Sequence, residues 1–224
     1  MNKHLKTTCL ALLTASIALT LTACSLAKRG GDAKHLEHPV KTALSFHEVY
    51  GDADYWKVIT DKAAGLSLTT QTMDATNYGY IATADTARFM QAMRQPDVKQ
   101  ALPADCHVMT LCEGDESGYC AVYLVKQSPN LSLWNVTLND IYIDSSEFDD
   151  RPFISLKLGE RDAQQWANMT RVNIGHFIAM TLNGRLLTVP RVNTEITGGA
   201  VSILGNYTQE ELQSMVNEIT AGTE

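Results

Sequence analysis

The clearest alternation of apolar and polar residues lies in the last third of the chain. Period-two patterns there predict strands, and apolar residues every three to four positions predict helices. Asn183-Gly184 separates two of these strands and is typical of a two-residue hairpin turn. The predicted elements are strand 153–158, helix 160–173, strands 176–182, 185–189 and 201–204, and a helix from 208 to about 220. This β-α-β-β-β-α order favours helices packed on a mainly antiparallel sheet, an α+β fold.

Glycines and a proline mark the junctions between these elements. We expect Gly175 to let a helix end and a strand begin, and Gly198-Gly199 to adopt backbone angles forbidden to larger residues. Pro190 is expected to close or bend the strand before it. Residues of this type at element junctions usually serve backbone geometry, so we interpret them, with Asn183-Gly184, as determinants of the fold.

The upstream patterns are shorter and less regular. They predict strand 42–50, helix 54–64, strands 66–72 and 78–82, a helix from 83 or 85 to 93, a turn at 97–102, a hairpin of 106–112 and 119–126, a mixed stretch 131–143 and an acidic, turn-rich segment 144–150. Thr83 or Asp85 can cap the helix that ends near Met93. Thr208 and Glu211 form a capping box for the last helix.

The first residues have the zones of a secretory signal. Basic Lys3 and Lys6 precede an apolar run that is too short for a comfortable membrane span, and Leu21-Thr-Ala-Cys24 follows. These four residues resemble the lipobox of bacterial lipoproteins, which implies cleavage before Cys24 and acylation of its sulfur. Ser25 then favours an outer-membrane lipoprotein that faces the periplasm. The alternative is an ordinary signal peptide with an incidental cysteine.

These patterns divide the chain into four parts. We expect a signal peptide at 1–23, a flexible tether at 24–41, an α+β region at 42–150 and a C-terminal subdomain at 151–224. Strands 153–158, 176–182 and 185–189 are expected to share one compact sheet in that subdomain.

Charge narrows the classes of partner. The formal net charge of −7 becomes more negative when Lys3 and Lys6 leave with the signal peptide, which disfavours nucleic acid. After the signal, the chain has no apolar run long enough to cross a bilayer again, so the lipid on Cys24 is its expected membrane attachment.

Three cysteines remain after Cys24. The predicted hairpin places Cys112 and Cys120 nearly opposite each other, with Cys106 left over. A disulfide between Cys112 and Cys120 and three buried thiols are both compatible with this pattern.

The sequence offers little catalytic or metal-binding chemistry. Residues 114–118 lack the spacing of a nucleophile elbow, and zinc-binding and phosphate-binding motifs are absent. His35 and His38 lie in the tether, and the acidic segment 144–150 lacks the spacing of a calcium loop. We therefore predict no enzyme activity, no metal and no cofactor.

Aromatic residues around the acidic segment suggest a different activity. Tyr142, Phe148 and Phe153 form a candidate rim for contact with extended apolar peptide. The alternative, which the sequence favours, is that they complete the core between subdomains.

Several motifs resemble the large periplasmic domain of the SecD protein-export subunit. The motifs are 166–170, 173–180, 182–184, 189–190, 196–199, Ile203, Gly205 and 207–212. Residues 43–50 and 95–103 are similar more loosely, especially to fused SecDF proteins of the Bacteroidetes type. The resemblance implies a base-like region at 42–150 and a head-like subdomain at 151–224.

This resemblance implies a non-catalytic binding protein for exported polypeptides or envelope proteins. A lipoprotein that docks on one folded partner, such as the translocon, is the alternative, and a hydrolase is a distant third. SecD proteins continue into proton-coupled membrane helices, whereas this sequence ends at Glu224. We therefore expect a free-standing lipoprotein without proton-driven activity.

Overall fold

The computed structural model describes residues 36–74, 76–112, 118–128, 132–147 and 149–222. The strands in this part of the chain are β1 (Val40–Lys41), β2 (Leu44–Tyr50), β3 (Thr69–Met73), β4 (Thr76–Ala82), β5 (Cys106–Leu111), β6 (Tyr119–Lys126), β7 (Ser132–Leu133), β8 (Thr137–Ser145), β9 (Pro152–Leu158), β10 (Ile178–Leu182), β11 (Arg185–Thr188) and β12 (Ala200–Ile203). The helices are α1 (Ala53–Lys62), α2 (Thr86–Met93), α3 (Pro96–Ala101), α4 (Glu160–Val172) and α5 (Gln209–Thr220), with a 3-10 turn at Thr83–Asp85. Cys24, the expected signal peptide and most of the expected tether lie outside the described residues.

The described strands form two antiparallel sheets. A small sheet has the order β1-β8-β9-β12, and a large sheet has the order β11-β10-β2-β6-β4-β3. Two further strands join the large sheet, where β5 pairs with β6 and β7 pairs with β2. Five helices accompany these strands in the described part, so the predicted α+β class with mainly antiparallel pairing is confirmed.

Strands β2 and β10 separate two hydrophobic cores. They pair from Leu44 opposite Leu182 to Glu48 opposite Ile178. Phe46 and Ile178 on one face of this pair join a core with the inner face of the small sheet, α4 and α5. Ala179 on the other face joins a second core with α1, α2 and α3. All five residues of β10 are buried because both of its faces are covered.

The expectation of a single C-terminal sheet is wrong. The chain order β9-α4-β10-β11-β12-α5 is as predicted, but β9 and β12 belong to the small sheet, whereas β10 and β11 belong to the large one. The physical reason is the composition of β10, which is apolar on both faces and therefore suits an interior strand. Its second edge pairs with β2, so the C-terminal segment is completed by a strand from the N-terminal region.

Several local features differ from the expectations. Val40–Lys41, inside the expected tether, form β1 and pair with β8. Strand β8 extends to Ser145, into the segment expected to be a turn-rich loop. The caps expected before α2 are absent, because the carboxylate of Asp85 accepts a hydrogen bond from the backbone N–H of Ser67 instead of capping the helix.

The expected capping box at α5 is present. The hydroxyl of Thr208 accepts from the backbone N–H of Glu211, and the Glu211 carboxylate accepts from the backbone N–H of Thr208. Pro190 lies two residues beyond the end of β11, and its carbonyl accepts from the N–H of Ile178.

Positive φ angles occur at most of the predicted turn positions. Asn183 and Gly184 have φ angles of 49° and 76°, as a type I′ turn requires, and Gly175 has 88°. Gly199 has a φ of 68°, and a Cβ there would lie 2.6 Å from the Cβ of Ala163 in α4. The expectation for Gly198 is wrong, because its φ lies outside this region and a Cβ would meet only the Lys157 Nζ at 3.7 Å.

Candidate functional site

Two of the three candidate residues for a contact rim, Tyr142 and Phe153, lie on strands of the small sheet. Tyr142 is paired with Ser155 and Phe153 with Asp144, which places the two rings diagonally on one face. The core-facing residues of the same strands, such as Ile141 and Ile154, alternate with them, so this is the outer face of the sheet. Tyr142 and Phe153 are half-buried, and Phe148 lies outside the described residues.

The structure places Cys112 and Cys120 in a disulfide. Their Cα atoms are 4.2 Å apart, and the bridge joins the end of β5 to the start of β6. The thiol of Cys106 is free and half-buried. Burial, with a smaller contribution from the neighbouring Asp105 carboxylate, raises the pKa of Cys106 to about 12, so this thiol is protonated at neutral pH.

A groove runs beside β5 and encloses a cavity of about 640 Å³. We call it the β5 groove. Its lining residues are Met90, Met93, Arg94, Lys99, 102–104, 106–110, Gln127 and 184–186. These residues come from the end of α2, from α3 and its connection to β5, from β5 itself, from the residue after β6, and from the turn before β11 and the first residues of β11.

The interior of the β5 groove is apolar and adaptable. Met90 and Met93 reach it from α2, and Met109 reaches it from β5. Leu102 and Leu186 are buried and complete the apolar lining. Methionine side chains are unbranched and polarisable, and they therefore fit apolar groups of different shapes.

The ionisable groups that line the β5 groove are basic or neutral. Arg94, Lys99, Arg185 and His107 line it, whereas the lining contains no carboxylate, although the whole chain has a net charge of −7. Arg185 is paired with Glu218 at 3.2 Å. Arg94 and Lys99 make no ion pair within the described part of the chain, so both remain available to an acidic group.

A buried histidine lies on β2. The Nδ1 of His47 lies 2.9 Å from the Ser132 hydroxyl, which itself donates to the carbonyl of Lys126. Ser132 therefore accepts from an Nδ1–H, and the His47 Nε2 accepts from the hydroxyl of Thr181 at 3.0 Å. Burial, and to a smaller degree the charge of His107, lowers the pKa of His47 to about 4.

This arrangement stabilises the fold and does not activate a nucleophile. A catalytic serine would donate its proton to the imidazole, but Ser132 donates to the Lys126 carbonyl. No carboxylate orients the second nitrogen of His47, which is occupied by Thr181. The described residues also contain no group of three His, Cys, Asp or Glu side chains that could hold a metal ion, so we assign no residue to a cofactor.

The β5 groove was not predicted from the sequence. Met93 belongs to a predicted apolar helix face, and nothing in that pattern shows that part of the face remains open. The remaining lining residues come from positions up to about a hundred residues away, such as Leu186. Methionines close in sequence to the basic residues Arg94 and Lys99 are the signal that could have drawn attention to it.

The chain has recognisable relatives. Residues 109–223, just over half of the chain, match the family described as the P1 head subdomain of SecDF. The chain therefore belongs to the SecDF P1 head subdomain family. The resemblance to the SecD periplasmic domain, predicted from the motifs, is confirmed.

Individual relatives support this assignment. The protein translocase subunit SecD of Rhodothermus marinus is 29% identical over 148 residues, which are 65% of this chain and 24% of that protein. The SecD of Sebaldella termitidis is 33% identical over 85 residues, or 38% of this chain and 21% of that protein. The SecDF of Thermus thermophilus is 34% identical over 73 residues, or 33% of this chain and 10% of that protein. The chain thus spans a quarter or less of the length of these relatives.

Solved structures give a weaker similarity. A structure of SecDF, described as a membrane component that enhances protein export, covers 82% of this chain and 64% of its own, with 22% identity and a TM-score of 0.42. The crystal structure of SecDF from Thermus thermophilus covers 82% of this chain and 29% of its own, with 20% identity and a TM-score of 0.36.

Among the described helices, none is both long enough and apolar enough to cross a bilayer.

Proposed function

We propose that this protein is a lipid-anchored, extracytoplasmic binding protein that contacts exported polypeptides without catalysis. Membership of the SecDF P1 head subdomain family supports a role in protein translocation. The observation that carries the proposal is the β5 groove, which combines an apolar, methionine-rich lining with an open side. An unfolded polypeptide exposes apolar side chains that a folded protein buries, and such a groove can accept them in varied arrangements.

The buried His47 and its half-buried partner Ser132 support the absence of catalysis. Each nitrogen of His47 already has a hydrogen-bond partner in the protein, and the low pKa of the imidazole keeps it neutral at pH 7. Neither group is therefore available for acid–base chemistry on a bound chain.

The anchor and the location belong to the same proposal. The lipobox-like residues 21–24 support acylation at Cys24, and Ser25 supports attachment to the periplasmic face of the outer membrane. Growth of producing cells with a clickable palmitate analogue tests this directly. We expect label on the wild-type chain and none on a Cys24→Ser variant, and equal labelling of the two would contradict the anchor.

Site-specific photocrosslinking tests polypeptide binding. A benzoylphenylalanine at Met109, in the β5 groove, should capture an exported polypeptide that is held unfolded. The same probe at Tyr142 tests the aromatic rim on the small sheet, and a probe at Ser214, exposed on α5, is the matched control. Capture at Met109 no greater than at Ser214 would contradict the role of the groove.

A second experiment separates polypeptide binding from docking on one folded partner. Affinity purification of the full chain from its native envelope should recover many different unfolded clients. Recovery of one protein in a fixed ratio, with no capture of unfolded chains, would instead favour docking on a folded partner such as the translocon.

A further inference from the structure

Two strand edges without a partner meet at the β5 groove. Within the described residues β5 pairs only with β6, and β11 pairs only with β10. Both strands line the groove, and their Cα atoms approach within 8 Å of one another, yet no pairing joins them. An unpaired edge presents N–H and C=O groups that can bind another extended chain.

The register of β5 shows which backbone groups face outward. Antiparallel partners alternate between pairs that exchange hydrogen bonds and pairs that do not. The N–H of Gln127 donates to the carbonyl of Asp105, so His107 and Met109 are the next residues bonded to β6. Val108 and Thr110 therefore turn their N–H and C=O groups away from β6, toward the open edge.

The same alternation applies to β11. Arg185 is the partner of Leu182 across the two-residue turn, and such a pair exchanges hydrogen bonds. The next residue, Leu186, therefore turns its backbone groups away from β10. Leu186 also lines the β5 groove, so the edge of β11 that has no partner within the described residues lies beside the groove.

The directions of the two edges favour one type of occupant. The pairs β5–β6, β6–β2, β2–β10 and β10–β11 are all antiparallel, so β5 and β11 run in the same direction. An extended chain of opposite direction can thus pair antiparallel with either edge. Resting on the polypeptide binding proposed above, we propose that an extended segment of an exported polypeptide binds the β5 groove by antiparallel strand addition.

The groove lining also indicates which segments bind best. An extended segment presents alternate side chains to opposite sides. One set can contact Met93 and Leu102 in the apolar interior, and the other can reach Arg94 and Lys99, which lack carboxylate partners within the described residues. Segments in which apolar and acidic residues alternate therefore complement the groove in both shape and charge.

Backbone-modified peptides test the strand addition. The probe is an eight-residue peptide of alternating Val and Glu, with binding to the full chain measured by calorimetry. N-methylation of all Val residues blocks one edge of the peptide, and N-methylation of all Glu residues blocks the other. The methylation that blocks the peptide edge facing the protein should weaken binding at least about tenfold, since two or more hydrogen bonds are lost, whereas methylation of the other edge should not. Replacement of Glu by Lys should also weaken binding.

A matched pair of protein variants tests the β5 edge. Val108→Pro removes an N–H that β6 does not use, so the β5–β6 pairing is preserved, whereas Val108→Ala removes side-chain contacts but keeps that N–H. Unfolding midpoints report whether both variants fold. We expect Val108→Pro to reduce affinity for the peptide by about tenfold relative to Val108→Ala.

The outcomes distinguish this inference from the proposed function. Equal binding of the methylated and unmodified peptides, with capture of unfolded chains at Met109 retained, overturns strand addition but leaves polypeptide binding intact. If, in addition, no unfolded chain is captured at Met109, the proposed function is overturned as well. Formation of a dimer that Val108→Pro abolishes and the peptide does not disrupt would also overturn the inference, because a second copy of this chain would then occupy the edge.

Discussion

Protonation of His47 should destabilise this protein in mildly acidic solution. The imidazole is fully buried between Ser132 and Thr181, and the ring of Trp134 lies against it with centroids 4.7 Å apart. A charge on His47 loses its hydration there and is repelled by a protonated His107, which is why its pKa falls to about 4.

The size of the effect follows from the difference between the folded and unfolded states. The unfolded chain binds a proton on His47 with a pKa near 6.5, whereas the folded chain does so only near 4. Between these values the unfolded state binds more protons, so the free energy of unfolding falls as the pH falls. The contribution of neutral His47 to the free energy of unfolding is complete above pH 7, and about 2.5 kcal/mol of it is lost by pH 4.5.

Urea denaturation at pH 7.5 and pH 4.5 measures this loss. His47→Gln removes the titration but keeps a side chain that can donate and accept hydrogen bonds. Other titrating groups contribute equally to both proteins. The wild type should therefore lose about 2.5 kcal/mol more than the variant between the two pH values. Equal losses in the two proteins would refute the reasoning.

Three further predictions concern single residues. Gly199→Ala should lower the free energy of unfolding by about 3 kcal/mol, against about 1 kcal/mol for Gly184→Ala. Both positions have positive φ, but only Gly199 lies against Ala163. Equal losses in denaturation would contradict the close approach. Thr208→Ala should cost about 1 kcal/mol through loss of the α5 capping box, whereas Ser214→Ala on the exposed face should not destabilise the protein. Cys106, with its raised pKa, should react with iodoacetamide at pH 8 far more slowly than in urea-unfolded protein, as followed by mass spectrometry; similar rates would show that the thiol is not shielded.

Local signals predicted the elements of the C-terminal third well. Asn183 and Gly184 predict their turn because this turn type requires positive φ at both positions, whatever residues surround them. Thr208 and Glu211 form the helix cap within a segment of four residues. The order of strands and helices follows from such signals, and so does the α+β class.

The arrangement of the sheets could not be predicted in the same way. The apolar sequence of β10 predicts an interior strand, which the structure buries on both faces, but it does not specify β2 as the pairing partner. The β5 groove depends on the same long-range arrangement, because it needs β5, α2 and the turn before Arg185 in one place. The caps expected at Thr83 or Asp85 failed for a related reason, since tertiary contact with Ser67 competes for the Asp85 carboxylate.

The central position of β2 has a consequence for the order in which the molecule assembles. Its side-chain hydrogen bond with β10, between His47 and Thr181, spans 134 residues of sequence. Chains emerge from the ribosome with their N-terminal end first, so β2 is made long before the strand that covers its edge. The two cores can close only when nearly the whole chain is available, and we therefore expect slow folding that depends on late, long-range pairing.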